Sequence, residues 1–137
     1  MTGASITLAV VGAHLRGQPL NHQLVDRSAR FVGATTTADC YRLFALRTDP
    51  PKPGLVRVHG GDVSGRPIDV EVWELGVEAF GSFVAEVPGP LAIGRVRLAD
   101  GSETPGFVCE SIALEDAVEI TAFGGWRAYL ADFGGPG

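Results

Sequence analysis

The feature that most constrains the fold is a nearly uninterrupted apolar run, Ile6-Thr7-Leu8-Ala9-Val10-Val11, which ends at Gly12. A strand with one face in water alternates apolar and polar residues, whereas a continuous apolar run is typical of a strand buried on both faces. The run therefore predicts a first strand over residues 5 to 12, central in its sheet. It is too short to cross a membrane or to form the apolar part of a signal peptide.

A histidine stands two residues after Gly12. A glycine turn lets backbone N–H groups converge, and His14 adds an imidazole that titrates near neutral pH. This combination predicts a small anion site, with His14 as the first candidate for chemistry. The alternative is that His14 only begins a surface loop. The other two histidines, His22 and His59, lie in predicted turns and are weaker candidates.

One helix pattern stands out among short strand patterns. Phe80, Phe83, Val84 and Val87 lie at helical spacing and predict a helix over residues 77 to 87. Further predicted elements are strands at 30–36, 41–46, 55–58 and 68–72, a hairpin of 91–98 and 106–112 about Asp100-Gly101, a helical turn at 23–27 and a last helix at 126–130. This mixture indicates an α+β domain.

Two segments and the large aromatic residues carry more specific expectations. Three prolines within residues 49 to 54 remove backbone donors and predict a stiff loop. Residues 68 to 72 alternate, which predicts that Asp69 and Glu71 face water. The large aromatic residues are expected to fill the core or an interface: Trp73, Trp126, Phe80, Phe83 and Phe123.

Composition bounds the class of protein. A chain of 137 residues with 19 glycines and 9 prolines predicts one strand-rich domain over residues 1–137, ordered from about 5 to 132. A net charge of −5 without a basic cluster argues against a nucleic-acid partner. Cys40 and Cys109 lack metal-ligand spacing and are predicted to be buried free thiols, so no metal is expected. The amino terminus has no basic leader, which predicts a cytoplasmic protein without a membrane partner.

Several separate motifs carry a resemblance to a known family. They are the stretch from Leu8 to Asn21 with Val-Gly-Ala-His-Leu and Pro-Leu-Asn, residues 50–57 with Pro-Pro-Lys-Pro-Gly-Leu-Val-Arg, and residues 70–75, 88–93 and 122–130. In this order and spacing the chain resembles the carboxy-terminal domain of allophanate hydrolase over nearly its whole length. The resemblance implies a small antiparallel β-barrel flanked by short helices, as in γ-glutamyl cyclotransferases.

The resemblance also implies a reaction. In that family an amidase domain releases ammonia from allophanate, and the carboxy-terminal domain removes carbon dioxide from N-carboxycarbamate without a cofactor. Electron density left on nitrogen calls for a proton donor, and the histidine of the family motif matches His14, which is expected to act as an imidazolium general acid. The expected substrate-binding residues are Gly12, Ala13, Leu15, Asn21, Pro53, Gly54, Arg57, Pro90 and Arg127. Gly12, Ala13 and Leu15 are expected to supply backbone amides, and the two arginines to bind carboxylates. The prolines and Gly54 are expected to shape the rim of the pocket. Surface ion pairs and ordinary turns are the alternative readings.

Cyclotransferase activity is disfavoured by the sequence. The superfamily glutamate at the end of the central helix aligns by eye with Val87, and Glu86, one residue away, is expected to be turned by about 100° from that face.

Two further functions stay open beside decarboxylation. The chain has no Ser-Ser-Lys amidase signature, so it is either an excised domain or a homologue that works with a separately encoded amidase. It could accordingly be a non-catalytic assembly or homodimerisation module, or a protein that binds a small carboxylate without turning it over.

Overall fold

The computed structural model describes residues 3–132, and these form two β-sheets with three short α-helices. The five-stranded sheet has the order β2-β5-β1-β7-β6, and the three-stranded sheet has the order β4-β3-β8. The strands are β1 Ser5–Val10, β2 Arg30–Thr36, β3 Tyr41–Leu46, β4 Lys52–Arg57, β5 Asp69–Gly76, β6 Leu91–Arg97, β7 Glu103–Cys109 and β8 Val118–Glu119. The helices are α1 His22–Val25, α2 Val77–Ala85 and α3 Trp126–Asp132, with 3₁₀ turns at Ser111–Asp116 and Thr121–Phe123. The expected α+β class is confirmed.

Strand β1 is central, as its apolar run predicts. It pairs antiparallel with β5 and parallel with β7, and Leu8, Ala9 and Val10 are buried. The parallel pair corrects the expectation of an antiparallel sheet throughout. It brings Ala9 opposite Gly106, where an added Cβ would lie 3.0 Å from the Ala9 Cβ. The strand ends at Val10, two residues earlier than expected, because the chain turns from Gly12 onward.

Strand β4 begins inside the predicted proline loop. Lys52, Pro53 and Gly54 belong to β4, which pairs with β3 alone, so the loop prediction is wrong for these three residues. Proline is tolerated there because β4 is an edge strand and the missing N–H need not serve a second neighbour. The strand pairings of residues 3–132 form two sheets, and a closed barrel stays a prediction.

The helix and the hairpin lie where the sequence predicts them. Helix α2 buries Phe83, and Phe80 and Val84 are partly buried against the core. In the hairpin, Gly101 has a φ of 88°, which fits the predicted Asp-Gly turn. Strand β7 begins at Glu103, three residues earlier than predicted, and α3 covers the predicted last helix.

The predictions for the aromatic residues, the cysteines and the helical turn are confirmed only in part. Trp73 and Trp126 are buried, whereas Phe123 is 38% exposed, so it does not fill the core, and its place in an interface stays a prediction. Both cysteines are free thiols, but only Cys40 is buried, and it lies just before β3, outside the strand. The helical turn spans His22–Val25 instead of 23–27. The frayed tail expected beyond residue 132 lies outside the described residues.

The prediction that Glu71 faces water is wrong. The side chain of Glu71 is 1% exposed, and its carboxylate binds both Arg16, at 3.1 Å, and Arg127, at 3.0 Å. Strand β5 lies between β1 and β2, and the loop after β1 and helix α3 supply these arginines over its second face. A two-residue alternation cannot reveal such a cover, because it records polarity and not what packs above it.

Replacing Glu71 is expected to cost more stability than replacing its surface neighbour Glu74. Glu71→Gln removes the anion between the half-exposed Arg16 and Arg127 and weakens its charged hydrogen bonds, which lowers the free energy of unfolding by about 2 to 3 kcal/mol. Glu74→Gln, the matched control on the same strand, breaks an exposed pair with Arg30 and costs less than about 1 kcal/mol. Urea denaturation measures both, and equal losses would contradict a structural role for the buried carboxylate.

Candidate functional site

The turn after β1 is packed against the edge of the other sheet. A Cβ at Gly12 would overlap the ring of Pro53, so only glycine permits this approach. The turn is closed by hydrogen bonds from the Leu15 N–H to the Gly12 carbonyl, at 3.0 Å, and from the Leu20 N–H to the Ala13 carbonyl, at 2.8 Å. This packing places residue 14 beside β4.

The His14 ring is buried between two aromatic rings. It stacks on Phe107 at 4.9 Å between centroids and meets Phe83 edge-on at 5.1 Å. Its Nε2 lies 2.9 Å from Oε1 of Gln23. The side-chain amide of Asn21 donates to the His14 carbonyl at 2.9 Å, which fixes the backbone beneath the ring.

The protonation state of His14, which the sequence leaves open, follows from the burial of its ring. Burial lowers the pKa of His14 to about 4; the hydrogen bond with Gln23 works against this shift, and the positive charges of Lys52 and His22 add to it. The ring is therefore neutral near pH 7 in the free protein. The expected imidazolium general acid is not the resting form.

Lys52 lies beside His14 and was missed by the sequence reasoning. It is 7% exposed and, within residues 3–132, has no carboxylate at ion-pair distance and no hydrogen-bond partner for its ammonium group. Its Nζ nevertheless keeps contact with solvent, because no side-chain nitrogen in residues 3–132 is both sealed from solvent and without a hydrogen-bond partner. A signal was available, since Lys52 is the only lysine in the chain.

His14 and Lys52 line one cavity. Its outer part has a volume of about 190 Å³ and is bounded also by Gln23, Pro88 and Phe107. An adjoining inner niche of about 10 Å³ shares His14, Lys52, Leu91 and Phe107 with it and is lined also by the Gly12 turn and Pro53. The cavity can therefore hold a small molecule, with polar atoms at its inner end.

Three expected site residues lie at this cavity. Gly12, Ala13 and Pro53 line the inner niche with His14. The backbone N–H groups of Gly12, Ala13 and His14 form no hydrogen bond within the described part of the chain. They are therefore available as donors to a bound anion.

Four other expected residues act differently. Leu15 is buried, and its N–H already donates to Gly12, so it offers no amide. Asn21 acts on the site indirectly, because its side-chain amide donates to the carbonyl of His14. Gly54 allows close packing, because a Cβ there would lie 2.7 Å from the Cys109 Sγ. Pro90 follows a cis peptide bond and accepts a hydrogen bond from the Glu110 N–H, while its neighbour Leu91 lines the cavity.

The structure does not bring the two expected arginines to the cavity. Arg57 is at the opposite end of β4 from Lys52, about 16 Å along the strand, and pairs with Glu103 at 3.5 Å. Arg127 donates to the Arg16 carbonyl at 2.6 Å and to Glu71. Both arginines therefore form ion pairs within the protein, which is the alternative to carboxylate binding.

Glu86 lies at the outer rim with Val87. The predicted turn of the Glu86 side chain away from the face of Val87 stays a prediction. The carboxylate is nevertheless 61% exposed and pairs with Arg27 at 3.1 Å, so it is neutralised at the rim.

The remaining candidates add no second site. His22 Nδ1 lies 3.0 Å from the Pro19 carbonyl and orders the loop as expected, and His59 is exposed. Residues 3–132 contain no cluster of three or more His, Cys, Asp or Glu side chains able to hold a metal ion. No helix among them is both long and apolar enough to span a membrane.

The two sheets, the helix α2 and the turn after β1 define a small α+β domain of the γ-glutamyl cyclotransferase-like fold. A solved γ-glutamyl cyclotransferase, 14% identical over 78% of this chain and 68% of its own, superposes with a TM-score of 0.55 and shares the fold alone. The chain belongs to the allophanate hydrolase C-terminal domain family, whose sequence model matches residues 6–131.

Longer proteins contain this domain. The chain is 46% identical to urea amidolyase of Saccharomyces cerevisiae over 92% of its length but spans only 7% of that protein. It is similar to allophanate hydrolase of Kluyveromyces lactis, with 40% identity, a TM-score of 0.89, and coverage of 95% of this chain and 22% of the other. A uropathogenic E. coli-specific protein is 36% identical with a TM-score of 0.85, over 93% of this chain and 97% of its own.

The buried neutral histidine makes stability depend on pH. Since the pKa of His14 is lowered from 6.5 to about 4, the unfolded chain binds a proton that the folded chain does not. His14 therefore contributes stability above pH 6.5 that is lost as the pH falls, and about 3 kcal/mol has gone by pH 4. Urea denaturation between pH 7 and pH 4 measures it.

His14→Gln removes this titration, and the slope between those pH values is expected to flatten. His59→Gln, which removes an exposed histidine, is the matched control and keeps the slope. A slope unchanged in His14→Gln would show that another group causes the pH dependence.

Proposed function

We propose that this domain removes carbon dioxide from N-carboxycarbamate, downstream of an amidase in the breakdown of urea and allophanate, without a cofactor. One observation carries the proposal: an unpaired buried lysine and a neutral buried histidine line the same small cavity. Such a cavity favours a negatively charged ligand, because a bound carboxylate would supply the counter-ion that Lys52 lacks.

The cavity suits a small dicarboxylate. Lys52 provides the cation, and the free N–H groups of Gly12, Ala13 and His14 can receive one carboxylate oxygen in the inner niche, whose volume suits a single water-sized atom. Leu91 and Phe107 provide an apolar wall that strengthens these interactions by excluding water. Lys52 takes the anchoring role that the sequence assigned to Arg57 and Arg127.

The proposed chemistry needs one proton. As the bond between the nitrogen and the departing carboxylate carbon breaks, its electron pair stays on nitrogen, which takes up the proton and leaves carbamate. His14 is neutral in the free protein, but a dianion bound beside it raises its pKa, because an opposite charge favours imidazolium. His14 then becomes the general acid of the bound state.

An amidase is the partner that this function requires, because it produces N-carboxycarbamate. The relatives that contain this domain are much longer and are named for urea amidolyase and allophanate hydrolase activity. We infer that the amidase acts before this domain, on the same chain or on a separate one. Assembly or dimerisation without catalysis is the competing function.

Kinetics of carbon dioxide release test the proposal. With N-carboxycarbamate generated by an amidase, the wild-type domain is expected to accelerate release over the uncatalysed rate. His14→Gln removes the proton donor and is expected to lower kcat about 100-fold or more. Lys52→Met removes the counter-ion and is expected to raise KM and lower kcat.

Arg47→Met is the matched control, because it removes the same charge from an exposed residue next to β3. It is expected to leave both constants unchanged. No acceleration by the wild-type domain would overturn the enzymatic function. Saturable binding of malonate, a stable dicarboxylate of the same shape, would then indicate a carboxylate-binding protein, and absence of both would favour an assembly module.

A further inference from the structure

The two nitrogens of the His14 ring have different surroundings. Nε2 lies 2.9 Å from Oε1 of Gln23, and an amide oxygen only accepts, so this placement assigns the ring proton to Nε2. Nδ1 has no hydrogen bond within residues 3–132. No side-chain nitrogen there is both sealed from solvent and unpartnered, so Nδ1 remains accessible.

The ring is held in this orientation. Phe107 covers one face at 4.9 Å, and Phe83 meets it edge-on at 5.1 Å. Asn21 fixes the His14 carbonyl, and Gln23 follows two residues later at the start of α1. A rotation that exchanged the two nitrogens would leave the Gln23 amide without its partner.

We propose that Gln23 is a positioning residue that keeps the His14 proton on Nε2 and leaves Nδ1 as the atom that takes up and delivers the proton of the reaction. This inference rests on the proposed function. Nδ1 takes one proton from solvent when the dianion binds. It passes that proton to the substrate nitrogen as carbon dioxide leaves, and its lone pair is restored.

Charged groups from three elements face His14. Lys52 on β4 and His22 on α1 oppose protonation, and Glu86 at the end of α2 lies on the cavity rim, where Arg27 neutralises it. Phe83 and Phe107, the other neighbours, carry no charge. The negative charge of a dicarboxylate beside Lys52 offsets these positive charges and favours protonation of His14. Proton uptake is therefore coupled to binding.

Nitrogen-15 NMR of the histidine rings in the full chain tests the inference without requiring activity. In the free protein near pH 7, Nε2 of His14 is expected to be protonated and Nδ1 bare. With saturating malonate, both nitrogens are expected to be protonated. A free protein with its proton on Nδ1, or malonate bound with no proton uptake, would overturn the inference.

Two variants of Gln23 separate positioning from a merely structural role. Gln23→Glu keeps the acceptor and adds a negative charge, so the pKa of His14 rises by about one unit or more, and the alkaline limb of the rate profile moves to higher pH. Gln23→Leu removes the acceptor. Both tautomers should appear, and kcat should fall about 10-fold or more with little change in KM.

Gln18→Glu is the matched control, because it adds the same charge in the loop that precedes α1, at a residue with no hydrogen bond to His14. It is expected to leave the ring tautomer and the pH profile unchanged. Gln23 variants that behave like this control would overturn the positioning role. Malonate-linked protonation of Nδ1 without carbon dioxide release would instead overturn the decarboxylation, so the two failures are distinguishable.

Discussion

The close approach of Gly12 to Pro53 is the constraint on which the site depends. It joins the turn after the central strand to the edge strand of the second sheet, and so brings His14 and Lys52 to one cavity. The turn needs a residue without a side chain, and the edge strand tolerates a proline, which has no N–H. A glycine and a proline far apart in the sequence are therefore complementary at one contact.

Burial then sets the chemistry of the two polar residues. A group removed from water either loses its charge or finds a partner. The pKa of His14 falls because of burial, whereas Lys52 has no carboxylate within ion-pair reach in residues 3–132. In the proposed function, a dianion that enters the cavity supplies the missing negative charge beside Lys52, and its binding is coupled to proton uptake by His14.

Much of the fold could be predicted from local patterns, and the site only in part. The apolar run predicted a central strand, helical spacing predicted α2, and the motif predicted His14 at a cavity. Local patterns failed where a distant segment decides the environment, as with Glu71, which is covered by Arg16 and Arg127. Lys52 was hidden for a related reason: prolines beside it indicated a loop, and only the sheet pairing makes it a buried edge-strand residue.

The distribution of charge is compatible with the proposed binding of an anion by a protein whose net charge is −5. Eight of the ten arginines, all within the described residues, form ion pairs with carboxylates, and these pairs largely cancel one another's field at a distance. Lys52 is not cancelled in this way, and low-dielectric walls of the cavity strengthen its field locally. The net charge sums over the ion pairs and Lys52 alike. The sign of the local electrostatic potential at the cavity therefore depends on Lys52 and not on the overall composition.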